Sequence, residues 1–183
     1  MAQFPGVVAV VVAVAVGLTG CGGKSDPPPA EVCTVASGLG DLGMVSGQAS
    51  LPDPAYLNWV GLLNADVKPD AITVEFYAGY GVFAGGIASG TYSINGDELQ
   101  YATCGLCVLV YGDVDTVGGT PPGAIYMATG GQVDVTSVVG NLTLSLSNVT
   151  FHKITIDPVT FVSTPVGACT TQVTSLSVND PIL

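Results

Sequence analysis

From Gly43 onward, apolar residues recur at every second position far more often than at helical spacing, and this alternation is the strongest constraint on the fold. A period of two puts alternate side chains on opposite faces of a pleated strand, whereas an amphipathic helix needs spacings of three and four. The clearest case is Ile72-Thr73-Val74-Glu75-Phe76-Tyr77, where Ile72, Val74 and Phe76 face one way and Thr73, Glu75 and Tyr77 the other. Further runs cover Ala88 to Ile94, Cys107 to Tyr111, Ile125 to Ala128, Gln132 to Thr136, Leu142 to Leu146, Val149 to Ile156 and Gln172 to Val178. Turn chemistry separates them at Ala65 to Asp70, Asn95-Gly96, Gly118-Gly119, Gly130-Gly131, Gly140-Asn141 and Asp157-Pro158. The stretch Tyr56 to Leu63 reads equally as a strand buried on both faces or as a short helical turn. Eight to ten short strands with this punctuation predict an all-β domain, an antiparallel β-sandwich, with a closed β-barrel as the alternative.

Charge excludes one class of partner. The chain has no Arg, only Lys24, Lys68 and Lys153, and fourteen acidic residues, for a net charge of −11. Nucleic-acid binding is driven by neutralising phosphates with Lys and Arg. No nucleic-acid partner is expected.

The N-terminal region carries an address. Val7 to Leu18 is a run of twelve small and apolar residues, shorter than the ~20 a bilayer core needs and the length of a signal-peptide h-region. Leu18-Thr19-Gly20-Cys21 follows, and it resembles the lipobox of bacterial lipoproteins. In those proteins the cysteine is acylated and becomes the new N-terminus, so the resemblance implies covalent lipid on Cys21. Gly22-Gly23-Lys24-Ser25-Asp26-Pro27-Pro28-Pro29-Ala30 then reads as an extended tether. The expected organisation is a signal peptide over 1–20, a lipidated tether over 21–30 and a β-domain over 31–183. The expected address is the outer membrane or cell surface, with the periplasmic face as an alternative, the lipid making the membrane a partner.

With Cys21 assigned to lipid, Cys33, Cys104, Cys107 and Cys169 remain, an even set in an exported chain. Such a set predicts two disulfides, with three connectivities open. A Cys33–Cys169 bridge would tie the start of the domain to its end. Cys104 and Cys107 would pair with each other only if Gly105-Leu106 turns, because extended chain separates their Cα atoms by about 10 Å. Zinc held by the four thiolates is the metal alternative, disfavoured by an oxidising compartment. A thioredoxin-like centre would need Cys104 at a helix N-terminus, whereas a β run follows Cys107.

A wider resemblance rests on Gly90-Thr91-Tyr92, on Tyr101-Ala102-Thr103-Cys104-Gly105-Leu106-Cys107 running on to Asp115, and on Ser163-Thr164-Pro165-Val166-Gly167-Ala168-Cys169. These segments are similar to those of lipoproteins present in multiple copies in myxobacteria. The resemblance implies an exported β-rich fold and no known activity.

Other candidate sites are sparse. Asp113-Val114-Asp115-Thr116-Val117-Gly118 starts like a calcium loop, but Val117 and Ala124 stand where later side-chain ligands belong. Asp113 and Asp115 are therefore candidates for weak calcium binding through backbone oxygens, against an ordinary acidic turn. Asp97-Glu98 reads as turn chemistry rather than a catalytic carboxylate pair. His152 is the only histidine, and no Gly-x-Ser-x-Gly elbow accompanies it. The sequons at Asn141 and Asn148 read as chance. Tyr77, Tyr80, Phe83 and Trp59 form either a carbohydrate platform or core. The leading expectation is a non-enzymatic, lipid-anchored envelope domain with a structural or recognition role and no cofactor beyond its lipid. The alternatives are a glycan, small-ligand or calcium-binding module with a protein or glycan partner, and a periplasmic thiol oxidoreductase centred on Cys104 and Cys107.

Overall fold

The alternating pattern lays down nine strands in the computed structural model, which describes residues 31–183. They are β1 (Gly40–Met44), β2 (Gly47–Asp53), β3 (Tyr56–Leu62), β4 (Ala71–Tyr77), β5 (Gly90–Ser93), β6 (Leu106–Gly112), β7 (Ala124–Val139), β8 (Asn141–Ile156) and β9 (Ser163–Pro181). Two 3-10 turns, Gly81–Phe83 and Gly96–Leu99, interrupt the loops on either side of β5. No helix among the described residues is long and apolar enough to cross a membrane. The run read as a signal peptide, Cys21 and the stretch read as a tether lie outside the described residues.

All nine strands belong to one sheet in the order β1-β9-β8-β7-β6-β4-β3-β2, with β5 paired to β7 off this path. Every pairing between strands is antiparallel except that of β1 with β9. One face of β2 to β4 and β6 to β9 feeds a single core that includes Trp59, Phe76, Val108, Tyr126, Phe151 and Leu176. A flat sheet could not enclose such a core, so the sheet folds over on itself and is sandwich-like. One margin, β2, meets the chain just beyond β9 at a parallel bridge between Ala49 and Ile182. The sheet does not close, so the fold is the sandwich-like form and the barrel is excluded. Each large apolar side chain buried this way contributes about 1.5–3 kcal/mol.

The strands of the C-terminal half are longer than the sequence reading expects. Gly130-Gly131 is not a turn. β7 runs through it as a bulge, with register shifts against β8 on both sides of Gly130. Gly131 has φ 120°, and a Cβ there would meet the Val149 Cα at 2.6 Å, so glycine permits close strand approach rather than chain reversal. Asn148, at φ 50°, plays the matching part within β8. The Tyr56 to Leu63 ambiguity resolves as strand β3.

β4 is buried on both faces, and its second face positions the candidate site. There Cys104, Cys107, Leu109, Met127 and Ile154 form a second, smaller apolar cluster flanked by Tyr77, Tyr101 and Tyr111.

Candidate functional site

On that second face, β4 presents Glu75 and Tyr77. Antiparallel register sets Tyr56 of β3 opposite Tyr77 and sets Asn58 and Cys107 on either side of Glu75. The rings of Tyr56 and Tyr77 stack with centroids 4.8 Å apart. The Tyr77 hydroxyl donates to Glu75 Oε2 at 2.9 Å, and the Tyr101 hydroxyl donates to the same oxygen at 3.0 Å. Glu75 is only 7% exposed. Burial raises its pKa, and the two phenolic hydrogen bonds oppose that rise. Burial also raises both phenols, Tyr101 to about 12 and Tyr77 further, so each keeps its proton at neutral pH.

Tyr77 and Tyr101 form one side of a cavity of about 240 Å³, whose lining also includes Tyr80, Phe161, Ala102 and Cys104. Three stretches distant in sequence are fixed to each other to make it. Tyr101 follows the Gly96–Leu99 turn, and Gln100 beside it is clamped to Ser163. The Gln100 side chain donates through Nε2 to the Ser163 carbonyl at 3.0 Å and accepts from the Ser163 N–H. Ser163 Oγ in turn accepts from the Tyr101 N–H at 3.1 Å. Tyr80 is placed by Glu98. This carboxylate, 2% exposed, accepts from Val82 N–H at 2.8 Å and from Leu106 N–H at 2.6 Å. It thereby pins the 3-10 turn after Tyr80 to the start of β6.

Phe161 comes from the loop between β8 and β9. Asp157 Oδ1 accepts from the N–H groups of Val159 and Thr160 at 3.0 and 2.7 Å, and the Phe161 N–H closes on the Asp157 carbonyl at 2.9 Å. This tight loop holds Phe161 at φ 58°, and the residue, 55% exposed, lines the cavity. A left-handed backbone costs an aromatic residue about 1–2 kcal/mol. Such an outlier beside a cavity points to function.

The cysteines form two bridges, Cys33–Cys169 and Cys104–Cys107, each with Cα atoms 5.5 Å apart. Gly105-Leu106 does turn. Cys104 follows a turn rather than opening a helix, its N–H bonding to the Gln100 carbonyl at 3.0 Å. Both Cys104 and Cys107 are buried, at 2% and 0% exposure.

The other sequence candidates fall elsewhere. Trp59 and Phe83 are fully buried core residues, so of the four aromatics read as a carbohydrate platform only Tyr77 and Tyr80 line the cavity. Asp115 is a loop closure, its Oδ1 accepting from Val117 and Gly118 N–H at 3.1 and 2.6 Å and its Oδ2 from the Thr120 hydroxyl at 2.8 Å. These bonds hold its pKa down at about 2, that from Gly118 most of all. Asp113 sits at φ 54° and donates its N–H to Asp70 Oδ1 at 3.2 Å. Among the described residues no group of three or more His, Cys, Asp or Glu is arranged to hold a metal ion. His152 lines a separate open groove with several threonines, its Nδ1 2.9 Å from the Lys153 carbonyl.

Sequence reasoning did not single out Glu75, Glu98, Tyr101 or Phe161 as site residues. A carboxylate flanked by apolar and aromatic positions in a strand of an almost uncharged sequence was the available signal for Glu75. Compared with family models, with curated proteins and with solved structures, the chain matches none of them.

Proposed function

We propose that this chain is a lipid-anchored recognition module of the bacterial cell envelope, which takes a small ligand or ligand group in the cavity between Tyr77, Tyr80, Tyr101 and Phe161. The address rests on the lipobox-like Leu18-Thr19-Gly20-Cys21 and on the lipoprotein resemblance. The single observation that carries the binding role is the cavity itself. Four aromatic side chains from three loops and strands converge there, one in a left-handed backbone conformation, with hydroxyls ordered by a buried carboxylate. Concave sites with aromatic walls and a few fixed polar groups are the usual form of small-ligand pockets.

The two halves of the proposal have separate tests. Labelled palmitate should enter the full-length protein in a bacterial host and be lost on Cys21→Ala; equal labelling of both would refute the anchor. Titration of the protein against a panel of mono- and oligosaccharides and organic amines should give at least one saturable isotherm that Phe161→Ala weakens. Flat traces throughout would refute the binding role.

One observation favours a second reading. Cys104 lines the same cavity, so disulfide exchange with a bound thiol is the alternative use of the site. The buried, apolar setting of Cys104 and Cys107 favours the thiol over the reactive thiolate once the bridge is open. Reduction of a model disulfide substrate by the dithiol form would establish this reading, and no rate above that of free dithiol would remove it.

A further inference from the structure

Resting on the recognition role just proposed, we infer that the cavity is selective for an organic ammonium group, a methylated or primary amine cation, over a sugar or a neutral apolar group. The inference follows from where the protons are. A phenol has a single proton to donate. Those of Tyr77 and Tyr101 are both directed at Glu75 Oε2, at 2.9 and 3.0 Å. Toward the cavity these two oxygens can therefore only accept, and of the phenols in its lining Tyr80, at the solvent-exposed side, is the one whose proton is not spent on Glu75. A sugar hydroxyl both donates and accepts, and a site reading it ordinarily supplies both kinds of partner. An ammonium only donates, or in its methylated form presents a diffuse positive charge, and needs acceptors and ring faces alone.

Three further observations point the same way. Tyr77, Tyr80, Tyr101 and Phe161 supply four aromatic rings around a space of about 240 Å³, room for a trimethylammonium or butylammonium head. Cations are attracted to ring faces by their quadrupole, more strongly where water is excluded. Glu75 is not itself on the cavity wall, yet its negative charge lies one hydrogen bond behind two of the rings. Hydrogen bonds given to a carboxylate enrich the phenolic oxygens and rings in electron density, which strengthens both kinds of contact. Finally, among the described residues no cationic side chain lines the cavity, and the net charge of −11 favours the approach of cations.

The groups that face Glu75 are Tyr56 and Asn58 from β3, Tyr77 from β4, Tyr111 and the bridged Cys107 from β6, and Tyr101 from its loop. The tyrosines among them are raised above their ordinary value of 10.0, chiefly by burial. Glu75, whose carboxyl burial also raises, is therefore the group in this cluster that gains a proton on acidification. Its protonation removes the charge behind the rings, so affinity should decline as pH falls.

The test uses the full chain in detergent and four soluble probes: choline, butylammonium, 3,3-dimethylbutan-1-ol as the neutral shape-mimic of choline, and methyl β-glucoside. Affinity is read by calorimetry and ring contact by the upfield shift of the ligand's methyl or methylene protons. At least one ammonium probe should bind ten-fold or more tighter than both neutral probes, with an upfield shift. Glu75→Gln should weaken it about ten-fold. Because a buried substitution can disturb folding, Phe161→Ala on the exposed loop gives an independent variant, expected to weaken binding at least three-fold and to diminish the upfield shift. The preference of choline over butylammonium, or the reverse, tells a methylated from a primary amine source. Equal binding of choline and its neutral mimic, or binding of the glucoside alone, would overturn the ammonium assignment and leave the recognition role standing. No response to any probe would overturn both.

Discussion

The indole N–H of Trp59 donates to Asp180 Oδ2 at 2.7 Å, joining β3 near one margin of the sheet to the C-terminal end of β9. The same oxygen accepts the Gly47 N–H at 2.9 Å. Trp59 is fully buried, and Gly61 beside it leaves the slot its ring occupies, since a Cβ there would meet the ring at 2.5 Å. One carboxylate thus secures the place where the folded-over sheet meets itself. Asp180→Ala would leave the indole N–H buried without a partner, at a cost of about 1–3 kcal/mol, and Asp180→Asn should recover part of it by restoring an acceptor. Urea unfolding followed by the emission of Trp59, the only tryptophan, measures both. Equal stability of Asp180→Ala and wild type would show that this bond is dispensable.

The Cys33–Cys169 bridge spans 136 residues. By loop-closure entropy a bridge of that span stabilises by roughly 4–5 kcal/mol. The paired replacement Cys33→Ser with Cys169→Ser should lower the urea midpoint accordingly. Glu31 gives a smaller, electrostatic reinforcement nearby, accepting from Lys153 Nζ and from the Ala168 N–H, each at 2.8 Å.

Glu98 is the most exacting of the side chains that place the cavity walls. Glu98→Ala removes the acceptor of two backbone N–H groups, those of Val82 and Leu106. The expected loss is about 2–4 kcal/mol, from bonds to a charged acceptor and donors left unsatisfied. Amide exchange at Val82 and Leu106 should quicken in this variant more than in the β8–β9 pairing. Uniform acceleration would instead indicate a general loss of stability.

Two carboxylates should respond to acid in opposite senses. Glu75 has a folded pKa raised above its ordinary 4.5 by burial, so its contribution to stability is fully present below 4.5 and is lost as pH rises through the folded value. Asp115 is depressed from 3.8 to about 2 by the Gly118, Thr120 and Val117 bonds, so its contribution is present above 3.8 and lost as pH falls through about 2. Wild type should therefore gain on Glu75→Gln between neutral pH and pH 4.5, while Asp115→Asn should converge with wild type near pH 2. Urea midpoints across this range decide both, and parallel curves would contradict the assignments.

The all-β class and most strand positions were legible because alternation is a local property. Ile72 to Tyr77 declares its two faces within six residues. The Gly130-Gly131 bulge reads as a turn in the sequence because a glycine at positive φ serves either purpose, and only the partner strand decides which. The Cys104–Cys107 bridge hinged on a local turn, and the geometric condition for it could be stated from sequence. The cavity was the least legible feature. Tyr77, Tyr101 and Phe161 meet only through the β4–β6 register, the Gln100–Ser163 clamp and the turn built on Asp157, and no local pattern encodes a meeting of three distant segments. Burial of Glu75 has the same origin. Alternation puts it opposite Ile72, Val74 and Phe76, but it does not reveal that this opposite face is covered by a second cluster.

The Cys33–Cys169 bridge also has a mechanical consequence. A pull on the chain before Cys33 reaches Cys169 through a covalent bond, without passing through the β1 pairing. Ser163, which is clamped to Gln100 and bonded to Tyr101, lies a short way back along the same strand, β9. Tension between the N-terminal side and a ligand held in the cavity would therefore travel along one segment of β9, and β2 and β3 would not lie in series with it.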